Sequence, residues 1–150
     1  METVPFDTAV KLQVYEAVAG SGRMPTSREV ADALRVTTPA VEAAFDRLHS
    51  QRVLVPEPGD RSRIRMAPPF SGIETPFRVT VAGRNYFANC AWDALGIPAA
   101  FHADGIIDAS DAHSGEPMML EVRDGRPVPE PCVIHFAVPA ARWWDDIIDT

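Results

Sequence analysis

Proline limits what this chain can build more than any other feature. Fourteen prolines fall among 150 residues. Each fixes one backbone dihedral and removes one backbone donor, so short elements and well-punctuated loops are favoured over long helices. One proline-rich run, APPFSGIETPF at 67–77, reads as a connector and a domain boundary. The length suits two small units sharing an interface: residues 1–66, the linker 67–77, and residues 78–150.

The first unit shows helical periodicity. Val10, Val14 and Val18 recur at i, i+4 and i+8 within 8–20, and Gly20 closes the run. Thr26-Ser27-Arg28-Glu29 has capping-box spacing ahead of Val30, Ala33 and Leu34. Thr38-Pro39 opens a third helix carrying Val41, Ala44, Phe45 and Leu48. A short strand at 52–55, a turn at 56–60 and a returning strand at 61–66 follow. Three short helices and a hairpin form a winged-helix pattern.

Beyond the connector the character changes. Strands are predicted at 77–81, 103–107, 117–122 and 132–138, with turns at 111–116 and at Asp124-Gly125. A helix is predicted at 83–95, placing Tyr86, Phe87, Cys90, Ala91 and Leu95 toward one side, and another at 140–148 carrying Trp143 and Trp144. The expected class is α+β: a winged-helix-like unit followed by a small mixed sheet unit.

Charge narrows the functions. Residues 1–70 carry nine basic and nine acidic side chains; residues 71–150 carry five and twelve, which accounts for the net charge of -7. A nucleic-acid binder should present a basic face, and only Arg61, Arg63 and Arg65 on the predicted wing, with Arg47 and His49 on the third helix, offer one. Nucleic acid is therefore a poor partner, although a winged-helix metal-responsive regulator remains an open alternative. No apolar run approaches the roughly 18 residues that span a bilayer, and the opening METVPFD is acidic. Two cysteines make no secreted disulfide framework, so a reducing cytoplasm with free thiols is expected.

The residues with distinctive chemistry are Cys90, Asp93 and Cys132. Cys90 and Asp93 stand three apart on a predicted helix, about a turn from each other. Cys132 lies on a late predicted strand. Two thiols and a carboxyl group suit capture of a soft, thiophilic metal or redox cycling. His135, beside Phe136, fits a packed histidine more readily than a ligand. The stretch holding His102, Asp104, Asp108, Asp111 and His113 reads as a solvated turn before it reads as a metal site. Tyr86 fits either pocket closure or plain packing.

The segment NYFANCAWDALGIP at 85–98 resembles the signature of alkylmercury (organomercurial) lyases, in which a cysteine, two residues and an aspartate sit between an aromatic lead-in and an apolar stretch ending in proline. Pro68-Pro69-Phe70 through Thr75-Pro76-Phe77-Arg78-Val79 resembles the family's linker. Gly115-Glu116-Pro117 resembles its Gly-x-Pro turn, and Cys132-Val133-Ile134-His135-Phe136 its late cysteine strand. The resemblance covers nearly the whole chain. It implies protonolysis of a carbon–mercury bond, with Cys90 and Cys132 as the mercury-binding thiols and Asp93 as the proton-handling carboxyl. No resident cofactor is implied. Hg(II) is a bound product, external small thiols support turnover, and a mercuric reductase is a possible acceptor. Cys132 precedes His135 by three residues, where the family spacing is four. This keeps open a non-catalytic soft-metal-binding relative of the same fold.

Overall fold

Val10, Val14 and Val18 are buried on one face of helix α1, Phe6–Ser21, as their spacing predicts. The computed structural model describes residues 4–111, 113–128 and 133–149. Gly22, at φ 75°, stops α1 by donating its amide to the Val18 carbonyl. Helix α2, Ser27–Leu34, starts with the expected capping box: the Thr26 hydroxyl accepts from the Glu29 amide, and the Glu29 carboxylate accepts from the Thr26 amide. Helix α3, Thr38–Ser50, has its N-cap one residue earlier than expected, at Thr37, whose side chain makes no capping bond, and Pro39 lies in its first turn. Strands β1, Val55–Glu57, and β2, Asp60–Ala67, form the hairpin, and a short β3, Phe70–Ser71, joins the other side of β2. The proline-rich stretch is thus tied down at Phe70, which also bridges to Ala88 and is buried.

The second sheet has five strands: β4, Arg78–Val81; β5, Arg84–Phe87; β6, Gly105–Ser110; β7, Pro117–Arg123; and β8, Arg126–Val128. Their order is β5-β4-β6-β7-β8, antiparallel throughout. Helix α4, Ala91–Phe101, packs on β4 and β6. The contact is close: a Cβ on Gly105 would stand 2.6 Å from Pro98 Cγ and 3.2 Å from Val81 Cγ2. Gly105 therefore lets helix and sheet approach until α4 sits at a fixed height.

Three expectations are corrected. The predicted helix 83–95 is really a strand followed by a helix. Ala82 and Gly83, at φ 49° and 76°, make a two-residue turn between β4 and β5, and the helix begins at Ala91. Tyr86 and Phe87 lie on a strand, and Cys90 caps the helix instead of lying inside it. Residues 133–138 of the predicted late strand are not in a strand. The C-terminal helix is a 3₁₀ helix over Ala140–Asp145 with no buried residue.

Two apolar clusters hold the elements together. One joins α1, α2 and α3 to Leu54, Ile64 and Ala67. The other gathers Phe70, Val79, Val81, Tyr86, Ala88, Ala94, Ile97, Ile107 and Val122, with Val18 from α1. The architecture is α+β with two antiparallel sheets. Among the described residues, no helix is long and apolar enough to cross a membrane.

Candidate active site

Cys90 is the N-cap of α4, with extended backbone at φ -153° and ψ 179°. Its carbonyl accepts the first helical bond, from the Ala94 amide at 2.9 Å. Asp93 is therefore the third helical residue, the position whose side chain lies next to the cap. The three-residue spacing does bring thiol and carboxyl to one helix end, through cap geometry and not through a mid-helix face. No side-chain hydrogen bond closes this cap. The Asp93 carboxylate instead accepts from Asn89 Nδ2 at 2.9 Å, and the same Nδ2 donates to the Phe70 carbonyl at 3.2 Å.

Both groups bind protons more firmly than usual. Burial pushes the Cys90 thiol up, and the Asp93 charge adds to this, while the Asp93 and Trp92 amides at the helix end oppose it. Burial likewise pushes Asp93 above the ordinary aspartate range, against the Asn89 hydrogen bond. Tyr15, whose hydroxyl donates to the Pro68 carbonyl at 2.8 Å, is raised by burial and then by the charge of Asp93.

Cys90 and Asp93 open into one cavity of 410 Å³. Its walls come from three distant stretches. Arg52, Met66 and Pro68 belong to the first half of the chain, Asn89 to Asp93 to the α4 end, and Phe136 to Asp149 to the C-terminal segment. Trp92 stands 60% exposed at the cavity. Trp143 is held by its indole N–H donating to the Val138 carbonyl at 2.8 Å and by the Phe136 ring at 5.0 Å. Trp144 lies against the His49 ring at 6.0 Å. A mostly apolar concavity with a few convergent polar groups has the form of a small-molecule site.

Residues 70–149 match the sequence profile of the alkylmercury lyase family, described as MerB. That is more than half of the chain. The protein belongs to the alkylmercury lyase family. Its fold resembles that of a solved structure, "Crystal structure of the mercury-bound form of MerB2", at a TM-score of 0.56 and 24% identity, covering 82% of this chain and 68% of that one. No curated protein matches the sequence.

Within this alkylmercury lyase family member, the remaining sequence-picked residues sort clearly. Cys132 lies outside the described residues. His135 is exposed instead of packed. Tyr86 is a packing residue: it is buried, donates to the Ala19 carbonyl at 2.7 Å and stacks near Phe70 and Phe101. Asp111 folds a turn by accepting from the His113 and Ser114 amides, Asp108 pairs with Arg78, and Asp104 accepts from the Asp124 amide. Among the described residues, no three His, Cys, Asp or Glu side chains are grouped to hold a metal.

Two residues at the site were missed by sequence reasoning. Asn89 and Tyr15 reach it through carbonyls of Phe70 and Pro68, and nothing in local spacing announces contacts across 19 and 53 positions. The C-terminal Trp143 and Trp144 line the cavity.

Proposed function

We propose that the protein is an organomercurial lyase, cleaving carbon–mercury bonds by protonolysis to a hydrocarbon and Hg(II). The observation that carries the reading is the pairing of a thiol with a carboxyl of raised proton affinity in one apolar-walled cavity. The Cys90 thiol passes its proton to Asp93, and the resulting thiolate displaces the outgoing ligand X⁻ of R–Hg–X as the sulfur–mercury bond forms. Cys132 supplies a second sulfur, its proton leaving with X⁻, so the carbon bound to mercury gains electron density. Asp93 then gives its proton to that carbon. The carbon–mercury electron pair becomes the new C–H bond, and R–H leaves. Hg(II) stays on sulfur until external small thiols, or a mercuric reductase, take it.

Each step uses a property of the site. Burial raises the proton affinity of Asp93, the direction a general acid requires. The largely apolar walls supply the weakly solvating surroundings in which a carboxyl group holds its proton more firmly. We read the first three helices and hairpin as a winged-helix unit that covers the site, not as a nucleic-acid reader. Three of the cations there are engaged in ion pairs: Arg61 with Asp46, Arg65 with Glu57, and Arg47 with Asp7. A cytoplasmic location suits the free thiols that the reaction needs.

Purified, folded protein under excess small thiol should release hydrocarbon and Hg(II) from an organomercurial. Cys90→Ser and Asp93→Ala should each remove most of that release. No release from any aryl or alkyl substrate would overturn the reading. The short Cys132–His135 spacing favours a second reading, a soft-metal-binding relative; stoichiometric capture with no hydrocarbon would select it.

A further inference from the structure

Asn89 stands immediately before the cap of α4, and its side chain is committed twice. Nδ2 donates to the Phe70 carbonyl at 3.2 Å and to Asp93 Oδ2 at 2.9 Å. Both hydrogens of the amide are thereby used. Turning the carboxamide over would set its oxygen against two acceptors, so the orientation is fixed. The consequence is unfavourable in isolation: Asn89 Oδ1 is buried with no hydrogen-bond partner, alone in this among the side-chain atoms of the described residues. A leucine would fill much the same volume without stranding an acceptor.

The anchor is rigid. Phe70 is 4% exposed and bridges to Ala88. Ala88 is pinned in turn, its amide donating to the Phe77 carbonyl at 2.9 Å and its carbonyl accepting from the Thr75 hydroxyl at 2.6 Å. The Asn89 amide therefore hangs from a fixed point and holds one carboxyl oxygen of Asp93.

We propose that Asn89 is the positioning residue for Asp93: it holds Oδ2 as an acceptor, so that Oδ1 is the oxygen that carries and delivers the proton. The inference rests on the lyase reading above. An N–H donor needs an oxygen lone pair, and in a neutral carboxyl the carbonyl oxygen supplies the better one. The hydroxyl is thus assigned to Oδ1 while Asp93 is protonated. After the proton has gone to carbon, the carboxylate keeps the same Asn89 bond, so the acid is re-formed in one orientation at each turnover.

The test separates capture of an organomercurial by the thiols from cleavage of its carbon–mercury bond, in single-turnover experiments on the whole chain. In Asn89→Leu, capture should stay within about twofold while cleavage falls roughly ten- to hundredfold, the loss typical when a reacting group's orienting partner is removed. Asn89→Asp keeps the shape and replaces the donor with an acceptor; it should show the same split, and it carries the test if the leucine variant does not fold. Cleavage at the unaltered rate in either variant overturns the inference. So does an equal fall in capture and cleavage, which would mark a merely structural role. A second readout does not depend on turnover: Asp93→Ala should shift the side-chain NH₂ resonances of Asn89, and unmoved resonances overturn the proposal. If the unaltered protein cleaves nothing while that shift is present, the lyase reading fails and the contact stands.

Discussion

Glu29 and Asp93 occupy the same position, the third residue of a helix, and respond to protons in opposite ways. Glu29 is at the surface. Its bond from Arg23 and that from the Thr26 amide bring it down to about 2. Its contribution to stability is therefore complete above the ordinary carboxyl range and is lost as pH falls toward 2. Asp93 is raised by burial, so its contribution is complete at low pH and is lost as pH rises through its raised value. Thermal melts should show both. Glu29→Gln should flatten the acid side of the stability profile, and Asp93→Asn should raise the midpoint by a few degrees at neutral pH with little effect in acid. Cys90 gives a kinetic check. Its alkylation by iodoacetamide should be slower than that of an unburied thiol at neutral pH, and Asp93→Asn should speed it, because the Asp93 charge helps hold the proton on sulfur. At this scale the thiol–carboxyl pair was legible, since a three-residue spacing brings side chains together whether it lies inside a helix or at its cap. Asn89 was not legible, because its partner carbonyl is supplied by another strand.

Among the elements, α4 matters most, and its height above the sheet is set by one missing methyl group. Gly105→Ala would drive a Cβ into Pro98 and Val81. Such overpacking costs about 1–3 kcal/mol. Because the clash is with α4 itself, activity should fall beyond what the lowered midpoint explains, as seen by comparing hydrocarbon release with the folded fraction at one temperature. The start of α4 also shows why part of the fold escaped sequence reading. Asp124-Gly125 was recognised as a turn because both residues tolerate positive φ, and it does join β7 to β8. Ala82-Gly83 makes the same turn between β4 and β5, but alanine rarely adopts positive φ. With the turn hidden, the apolar positions of β5 merged with those of α4 into one apparent helix. The first three helices, whose valines and capping box obey helical spacing, were read correctly apart from their ends: α1 runs on to Ser21, and α3 has its N-cap at Thr37.

The whole molecule is needed to close the cavity. Its walls join Arg52 and Pro68, the Cys90–Asp93 turn, and the segment holding Trp143 and Trp144. Among the described residues, neither apolar cluster contains one beyond Val122. Ending the chain after Val138 should therefore leave the far-ultraviolet circular dichroism nearly unchanged while raising KM for an organomercurial by roughly tenfold, the equivalent of about 1.4 kcal/mol of lost contact. An equally large loss of folded signal would contradict this division between core and wall.

Helix α1 belongs to both clusters. Val18 lies in the second, Tyr15 and Met24 touch both, and the Ala19 carbonyl accepts the hydroxyl of Tyr86. The stretch from 70 to 149 therefore lacks part of its own interior when taken alone. Neither half can open without uncovering the other's apolar surface, so the chain should melt as one cooperative unit. Calorimetric and van't Hoff enthalpies should coincide, and a fragment starting at residue 70 should expose the surface that Val18 covers and bind a hydrophobic dye instead of giving a sharp transition.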